Sequence, residues 1–285
     1  MVIHSIPRGS YRPMNSDALN ILIFGAHPDD SEWYAGGVVA LYGRQGHHVR
    51  MVSLTNGDAG HYEMSGDPLA RRRRKEAAAA GACLGAEYIV LHNHDGALFP
   101  TLQVRKQVIR IMREFRPDLV MTHRPWDYHP DHRAAGQVVQ DAMVQVVYVP
   151  SVVPDVPALQ AMPVVVYLWD EFKKPYPFIP DVVVGIDDVV ERKIDALQCH
   201  VSQMVEGWSH YSQDKAPRDL AARRVWLRRQ LEPHLTRCAD LYRDRLTELY
   251  GEGSGARIKY AEAFEVCEYG APLSDDSRKR LFPFF

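Results

Sequence analysis

The first half of the chain alternates short apolar runs with longer stretches in which apolar residues recur at helical spacing. Asn20–Ala26 is a nearly continuous apolar run, typical of a strand buried on both faces of a sheet. Glu32–Gln45 follows with helical spacing and ends before Gly46, a common stop signal. The alternation then continues with three more strands and three more helices. They are His48–Thr55, Glu87–Leu91 and Asp118–Thr122, and Pro68–Leu84, Leu102–Phe115 and His132–Val147.

Repeated strand–helix alternation favours a parallel sheet with helices on both of its faces. The sequence therefore predicts an α/β fold with a Rossmann-like, mostly parallel sheet over residues 18–150. Residues 151–270 are expected to add strands and helices to the same unit, because no shift in composition marks a second domain within 1–285. The predicted additions are the strands Val164–Trp169 and Val182–Ile186 and the helices Asp188–Val205 and Leu220–Leu249.

Composition narrows the class of protein. Hydrophobic residues make up 46% of the 285 residues, enough for a sizeable core, and the net charge of −2 gives no reason to expect nucleic acid or a membrane surface as partner. No apolar stretch reaches the roughly 18 residues of a transmembrane helix. The N-terminal segment MVIHSIPRGSYRPMNSD lacks the apolar region of a signal peptide. The short charged tail from Ser274 is expected to be mobile.

The cysteines predict a reducing compartment. Four cysteines lie far apart in the sequence and form no CxxC pair, a pattern typical of reduced, mostly buried thiols in a cytoplasmic protein. A disulfide or a cysteine metal site has no support in the spacing. The four residues are Cys83, Cys199, Cys238 and Cys267.

Two short segments concentrate imidazole and carboxylate groups at strand ends. Ala26–Asp30 (AHPDD) follows the first predicted strand, and His129–His132 (HPDH) follows the fourth. In a doubly wound sheet of strand order 3-2-1-4-5, strands one and four are neighbours, and a crevice opens at their carboxyl ends. Both segments are therefore expected to face each other there, although about 100 residues separate them.

Two imidazoles and one carboxylate suit a catalytic zinc site, which takes three protein ligands and keeps one position for water. The two segments supply more groups than three ligands require, and the surplus suggests proton transfer and oxyanion stabilisation at a metal-activated water. The alternative for either segment alone is an ordinary polar turn whose aspartate caps the next helix. The pairing of both segments at adjacent strand ends favours the metal site.

These residues resemble the PIG-L/LmbE-like zinc deacetylases. The family's AHPDDxE motif and the glycine pair after it correspond to Ala26–Glu32 and Gly36-Gly37, and its second metal motif corresponds to His129–His132. Further matches occur in the family's order, so that the resemblance covers roughly residues 20–266. They are Thr55–Gly60, Arg73 with Glu76, Leu84-Gly85, Asp95-Gly96, Lys193 with Ala196-Leu197, His200 and Ser202-Gln203, and Ala261–Phe264.

The resemblance implies roles for individual residues. His27, Asp30 and His132 would be metal ligands, Asp29 the general base, and His129 the group that stabilises the oxyanion and donates a proton. The sugar or substrate contacts implied by the same resemblance are Arg73 and Asp95.

Other candidates each have two interpretations. Asp127 stands where some family members have a tyrosine, and it is predicted to bind substrate or to orient His129. His200 is predicted to point into the site, with a buried core histidine as the alternative. His123 could contact a metal ligand without binding the metal itself. The basic run Arg71–Lys75 is expected to form a solvent-exposed face of a helix. The alternative is that one of its arginines points into the crevice.

The aromatic residues within 164–180 are interpreted mostly as core or subunit contacts, with a sugar-stacking wall as the alternative. The predicted function is therefore removal of an acetyl group from a small N-acetylated sugar or sugar conjugate.

The expected cofactor is Zn²⁺, with Fe²⁺ as another candidate. The protein is expected to be cytoplasmic, and a homo-oligomer is also compatible with the sequence. The rivals are a non-haem iron oxygenase, which also uses two histidines and a carboxylate, and a non-catalytic ligand-binding protein.

Overall fold

A seven-stranded sheet forms the centre of the computed structural model, which describes residues 18–285. The N-terminal segment considered above lies outside the described residues. The strands are β1 Asn20–Gly25, β2 His48–Thr55, β3 Glu87–Asn93, β4 Leu119–Thr122, β5 Val164–Leu168, β6 Val182–Gly185 and β7 Ala261–Val266. The longer helices are α1 Asp30–Arg44, α2 Gly66–Leu84, α3 Leu102–Phe115, α4 Pro130–Tyr148, α5 Val190–Cys199, α7 Leu220–Leu241 and α8 Arg243–Tyr250. The shorter ones are α6 Trp208–Tyr211, α9 Glu252–Gly255, α10 Asp275–Leu281, a 3₁₀-helix at Pro150–Val152 and a π-helix at Val201–Gly207.

The strand order is β3-β2-β1-β4-β5-β7-β6, and the first five strands run parallel. This confirms the predicted Rossmann-like, mostly parallel sheet. β1 and β4 are adjacent, with Phe24 beside Thr122, so the chain leaves the sheet on opposite sides of one crevice. Helices α1 and α5 cover one face of the sheet, while α3 and α4 cover the other.

The last strand, β7, was not predicted. It lies between β5 and β6 and runs antiparallel to both. Its sequence AEAFEV contains two alanines and two glutamates, which have low strand propensity. The segment also contains no turn signal that would mark it as a strand. Burial of Glu262 is compensated because its carboxylate accepts hydrogen bonds from Gly37 N, Val38 N and Lys193 Nζ.

Two helix predictions and the tail prediction were wrong. The helix expected over Asp188–Val205 ends at Cys199 and gives way to the π-helix, and the helix expected over Leu220–Leu249 breaks at Tyr242. The tail beyond Ser274 forms α10 and places Leu281 and Phe282 in the core. None of the helices within residues 18–285 combines the length and the apolarity needed to cross a bilayer.

The buried ion pair between Lys193 and Glu262 generates a prediction about stability. The Nζ–Oε1 distance is 2.6 Å, and both side chains are at most 3% exposed. Lys193→Met removes the charge and leaves the buried carboxylate with backbone donors alone. We expect this variant to lose about 3–5 kcal/mol of the free energy of unfolding, measured by urea denaturation.

The matched control is Arg71→Met in α2. Arg71 Nη1 lies 3.9 Å from Asp67, and the two side chains are 66% and 91% exposed. Such pairs contribute little because water and salt screen them. The urea midpoint of this variant should stay at the wild-type value, and an equal loss in both variants would contradict the importance of the buried pair.

Candidate active site

The two His/Asp segments meet in a cavity at the carboxyl ends of β1 and β4, as predicted. The cavity has a volume of about 280 Å³, close to the lower end of typical small-molecule sites. The lining residues within the described part of the chain are His27, Asp29, Asp30, Trp33, Tyr34, Gly60, Arg73, Asp95, Tyr128, His129, His132, Gln203, Met204 and Trp208.

Three predicted ligands converge at this cavity. His27 Nδ1 lies 3.2 Å from His132 Nε2, and the Asp30 carboxylate approaches these two nitrogens to 3.5 and 3.4 Å. Two ligands of one tetrahedral zinc ion lie about 3.3 Å apart, so the donor atoms have a spacing suited to a metal. Neighbouring donors also form the groups His27–His129–His132 and Asp30–His123–His132.

The two oxygens of Asp30 have different partners. Oδ2 accepts hydrogen bonds from the backbone N–H groups of Ala26 and His27, both at 2.8 Å, and lies 3.0 Å from His123 Nε2. Oδ1 is the oxygen nearest His132. The backbone and His123 therefore hold the carboxylate in place and leave Oδ1 as the freer oxygen. This places His123 behind a predicted ligand, as the sequence suggested.

Each of the two converging imidazoles has a carboxylate at its other nitrogen. His27 Nε2 lies 3.2 Å from Asp95 and 3.4 Å from Asp131, and His132 Nδ1 lies 3.1 Å from Asp127. Carboxylates in this position fix the ring orientation and make a metal-binding nitrogen more basic.

The same carboxylates control the protonation of these rings. Burial alone would lower the pKa of His132, but Asp30 and Asp127 outweigh burial and raise the pKa to about 9. Burial would likewise lower the pKa of His27, but Asp131, Asp30 and Asp95 raise it well above its usual value. Without a metal, both imidazoles therefore hold an extra proton at neutral pH.

Asp29 lies in the cavity beside the converging donors and is held by Arg73. The Arg73 guanidinium is 3.0 Å from Asp29 Oδ1 and 3.5 Å from Asp95 Oδ2, and the residue is only 2% exposed. Burial raises the pKa of Asp29, and Arg73 offsets part of that rise. Arg73 is thus the arginine of the basic run that turns toward the crevice, and its contacts identify it as the partner of two carboxylates.

His129 lies at the N-terminus of α4. Its Nδ1 accepts a hydrogen bond from the backbone N–H of Asp131 at 3.2 Å. Burial lowers the pKa of His129, as do the neighbouring His27 and His132. A neutral ring whose Nδ1 is an acceptor carries its proton on Nε2, so His129 is equipped as a hydrogen-bond donor.

For Asp127 and His200, the structure fits the second of the two interpretations rather than contact with substrate. Asp127 faces His132 Nδ1 and accepts the backbone N–H of His129, so it supports the two histidines and does not line the cavity. His200 is fully buried with its Nε2 3.0 Å from Glu32 Oε1, which fits the alternative of a core histidine. Arg73 and Asp95 line the cavity, and their contact with substrate stays a prediction.

Several site residues escaped sequence reasoning. Asp131 was seen only as part of HPDH, yet its carboxylate accepts the backbone N–H groups of Gly96 and Leu98 and so holds the loop after β3 against the site. The apolar wall was also missed. It consists of Trp33, Tyr34, Met204 and Trp208.

Helical spacing could not reveal this wall, because part of it stands on the π-helix. The side chain and backbone N–H of Ser202 donate to Glu76, and Glu206 pairs with Arg72 at 2.7 Å. These contacts bind the π-helix to α2 and turn Gln203 and Met204 toward the cavity.

The aromatic segment 164–180 divides between core and surface. Tyr167, Trp169 and Phe178 are buried, as the core interpretation expected. Phe172 is 38% exposed and stacks on Tyr128, which lines the cavity.

Comparison with known proteins identifies the family. The family model described as GlcNAc-PI de-N-acetylase, or PIG-L, matches residues 22–143. The diacetylchitobiose deacetylase of Thermococcus kodakarensis is 32% identical over 205 residues, which cover 68% of this chain and 73% of that protein. The 4-oxalmesaconate hydratase of Pseudomonas putida is 28% identical over 224 residues, covering 75% of this chain and 85% of that protein.

A solved structure shows the same fold. The N,N'-diacetylchitobiose deacetylase of Pyrococcus horikoshii superposes with a TM-score of 0.69 and 25% identity, covering 89% of this chain and 85% of that chain. The motif resemblance, the strand order and these matches agree with one another. The chain therefore belongs to the PIG-L family.

Proposed function

We propose that this protein is a metal-dependent amide hydrolase, with zinc as the metal, that removes the acetyl group from an N-acetylated sugar or sugar conjugate. The observation that carries the proposal is the convergence of His27, His132 and Asp30, with the carboxylate of Asp29 beside them in the same cavity. The similarity to the two deacetylases supports the same reaction.

The donor set suits a divalent ion. His27, His132 and Asp30 would hold it, since their closest approaches of 3.2–3.5 Å are near the spacing of ligands that share one ion. The carboxylates on the far nitrogens of both rings are the usual support of such ligands. When bound, the ion supplies a water of pKa about 7 and polarises the amide carbonyl.

The residues of the chain perform the proton transfers. Asp29 accepts a proton from the water that attacks the acetyl carbonyl, and its raised pKa makes it a stronger base than an ordinary carboxylate. Arg73 keeps the Asp29 carboxylate oriented toward the cavity. His129 donates a hydrogen bond from Nε2 toward the carbonyl oxygen as that oxygen gains negative charge. The proton that Asp29 has taken from the water then passes to the departing amine.

Hydration of a carboxylate substrate is the competing function, because one relative is a hydratase of 4-oxalmesaconate. Among the described residues that line the cavity, Arg73 is the only arginine or lysine, and it already pairs with Asp29 and Asp95. Asp29, Asp30 and Asp95 contribute three negative charges, which a divalent ion and Arg73 together only balance. A substrate with several carboxylates would meet no free cation, whereas an uncharged N-acetyl sugar requires none.

The apolar wall supports the same choice. Trp33, Tyr34, Met204 and Trp208 provide flat or apolar surfaces on which the carbon face of a sugar ring can pack.

The fold disfavours the iron-oxygenase alternative. The seven-stranded, mostly parallel sheet differs from the β-sandwich on which those enzymes are usually built.

The experiment that tests the proposal is an acetate-release screen of the metal-loaded protein. Uncharged substrates, such as N-acetylglucosamine and diacetylchitobiose, are compared with N-acetylmuramic acid, which carries a carboxylate, and with 4-oxalmesaconate. We expect acetate from the uncharged sugars and at least tenfold lower kcat/KM for the acidic sugar. Water addition to 4-oxalmesaconate without acetate release from any sugar would overturn the proposal.

The role of Asp29 predicts a separation of catalysis from metal binding. Asp29→Asn keeps the shape of the side chain but removes the base, so kcat should fall by about 10²–10⁴ while metal content stays at the wild-type level. Asp30→Asn should lose metal and activity together. Metal content by mass spectrometry and acetate release on the same samples distinguish the variants, and an active Asp29→Asn enzyme would refute the assignment.

Metal binding should also depend on pH. Below pH 9 His132 holds a proton that the metal must displace, so affinity should increase from pH 6.5 to 9 by roughly tenfold per pH unit for each proton released. Titration calorimetry in buffers of different ionisation enthalpy counts these protons. His48→Ala is the control, since this exposed histidine at the start of β2 lies outside the cavity and should leave the proton count unchanged. A pH-independent affinity would argue against His132 as a ligand.

A further inference from the structure

Two cysteines that are 116 residues apart in sequence meet where α2 packs against α5. Cys83 lies in the last turn of α2, and Cys199 is the final residue of α5. Their sulfur atoms are 3.6 Å apart, which is direct contact. Both residues are partly exposed.

The other two cysteines differ in both respects. Cys238 is 1% exposed and Cys267 is fully buried. Cys238 packs in the core beside Ala239, and Cys267 lies near the hydroxyl of Tyr167. The chain thus contains one partly exposed thiol pair and two buried thiols, which serve as internal controls.

We propose that Cys83 and Cys199 are a reversible redox modification site, at which a low-molecular-weight disulfide oxidises the pair to an intramolecular disulfide. A disulfide bond is about 2.05 Å long, so the two sulfurs must approach each other by about 1.6 Å from their distance of 3.6 Å. Disulfides that occur in reducing compartments are usually transient and redox-sensing, which fits a partly exposed pair.

The reaction proceeds by two exchanges. The Cys83 thiolate attacks one sulfur of the small disulfide, a mixed disulfide forms, and the first small thiol leaves. Cys199 then loses its proton and attacks Cys83 sulfur, which closes the protein disulfide and releases the second thiol. One small disulfide is reduced to two thiols, and two cysteines lose two protons and two electrons.

The surroundings of Cys199 affect the closing step. Burial, together with the hydrogen bond shared with Cys83, raises the pKa of Cys199 to about 12. Formation of the Cys199 thiolate is therefore unfavourable at neutral pH. The closing step should accelerate as the pH increases, because it requires the Cys199 thiolate.

The disulfide would tether one wall of the cavity. Cys199 directly precedes His200 and the π-helix, which brings Gln203 and Met204 to the cavity. α2, which carries Cys83, also carries Arg73. A covalent link between α2 and the end of α5 would restrict local opening of the π-helix.

The test uses the full-length protein and oxidised glutathione at pH 8. We expect the number of thiols measured after unfolding to fall from four to two, with no glutathione retained and with recovery of all four upon reduction. Intact mass should show the loss of two hydrogen atoms. Amide hydrogen exchange in a peptide that covers residues 199–207 should be slower in the oxidised protein.

Variants decide whether the correct pair has reacted. Cys199→Ser should stop at the mixed disulfide with glutathione on Cys83, whereas the double variant Cys238→Ser/Cys267→Ser should still lose two thiols. Four thiols remaining in the oxidised wild-type protein would overturn the proposal. So would loss of a thiol pair in Cys199→Ser, or a disulfide mapped to Cys238 or Cys267. None of these outcomes depends on deacetylase activity.

Discussion

The carboxylate of Asp30 is the interaction on which the site depends. It accepts the backbone N–H groups of Ala26 and His27 and so folds the chain back onto the end of β1. Space for this turn exists because residue 25 is glycine, where a Cβ atom would lie 2.7 Å from Asp30 Cβ. The same residue begins α1, and its carboxylate contacts His123 across the crevice. One side chain thus joins the backbone of β1, the end of β4 and the donor set.

Negative charge surrounds this centre and is only partly compensated by the protein. Asp29, Asp95, Asp127 and Asp131 all lie within 3.4 Å of an imidazole or a guanidinium, and the adjacent rings take up protons in response. A cluster of this kind has a strong affinity for positive charge, in the form of protons or a metal. The uncompensated negative charge is therefore concentrated at one place in the folded protein, where a divalent ion can neutralise it.

The sequence alone predicted those features that depend on the local residue pattern and on the order of the strands. Continuous apolar runs predicted β1, β2 and β4, and the order of the core strands placed AHPDD opposite HPDH. The direction in which a side chain points could not be predicted from these patterns. The sequence left Asp127 open between substrate binding and orienting His129, and His200 open between the site and the core. Only the structure shows that Asp127 faces His132 and accepts the backbone N–H of His129, and that His200 is paired with Glu32. β7 was missed because its glutamates are low in strand propensity, and Glu262 is buried only with the help of Lys193 and the backbone of α1.

The π-helix has a consequence for how the lining of the cavity can change. A single π turn is equivalent to one residue inserted into an α-helix. Deleting that residue would restore regular winding and rotate the downstream residues by about 100° around the helix axis. Trp208, directly after the π-helix, would then leave the pocket and a different residue would enter. A one-codon insertion or deletion in this segment could therefore exchange a cavity-lining side chain while the donor set stays intact.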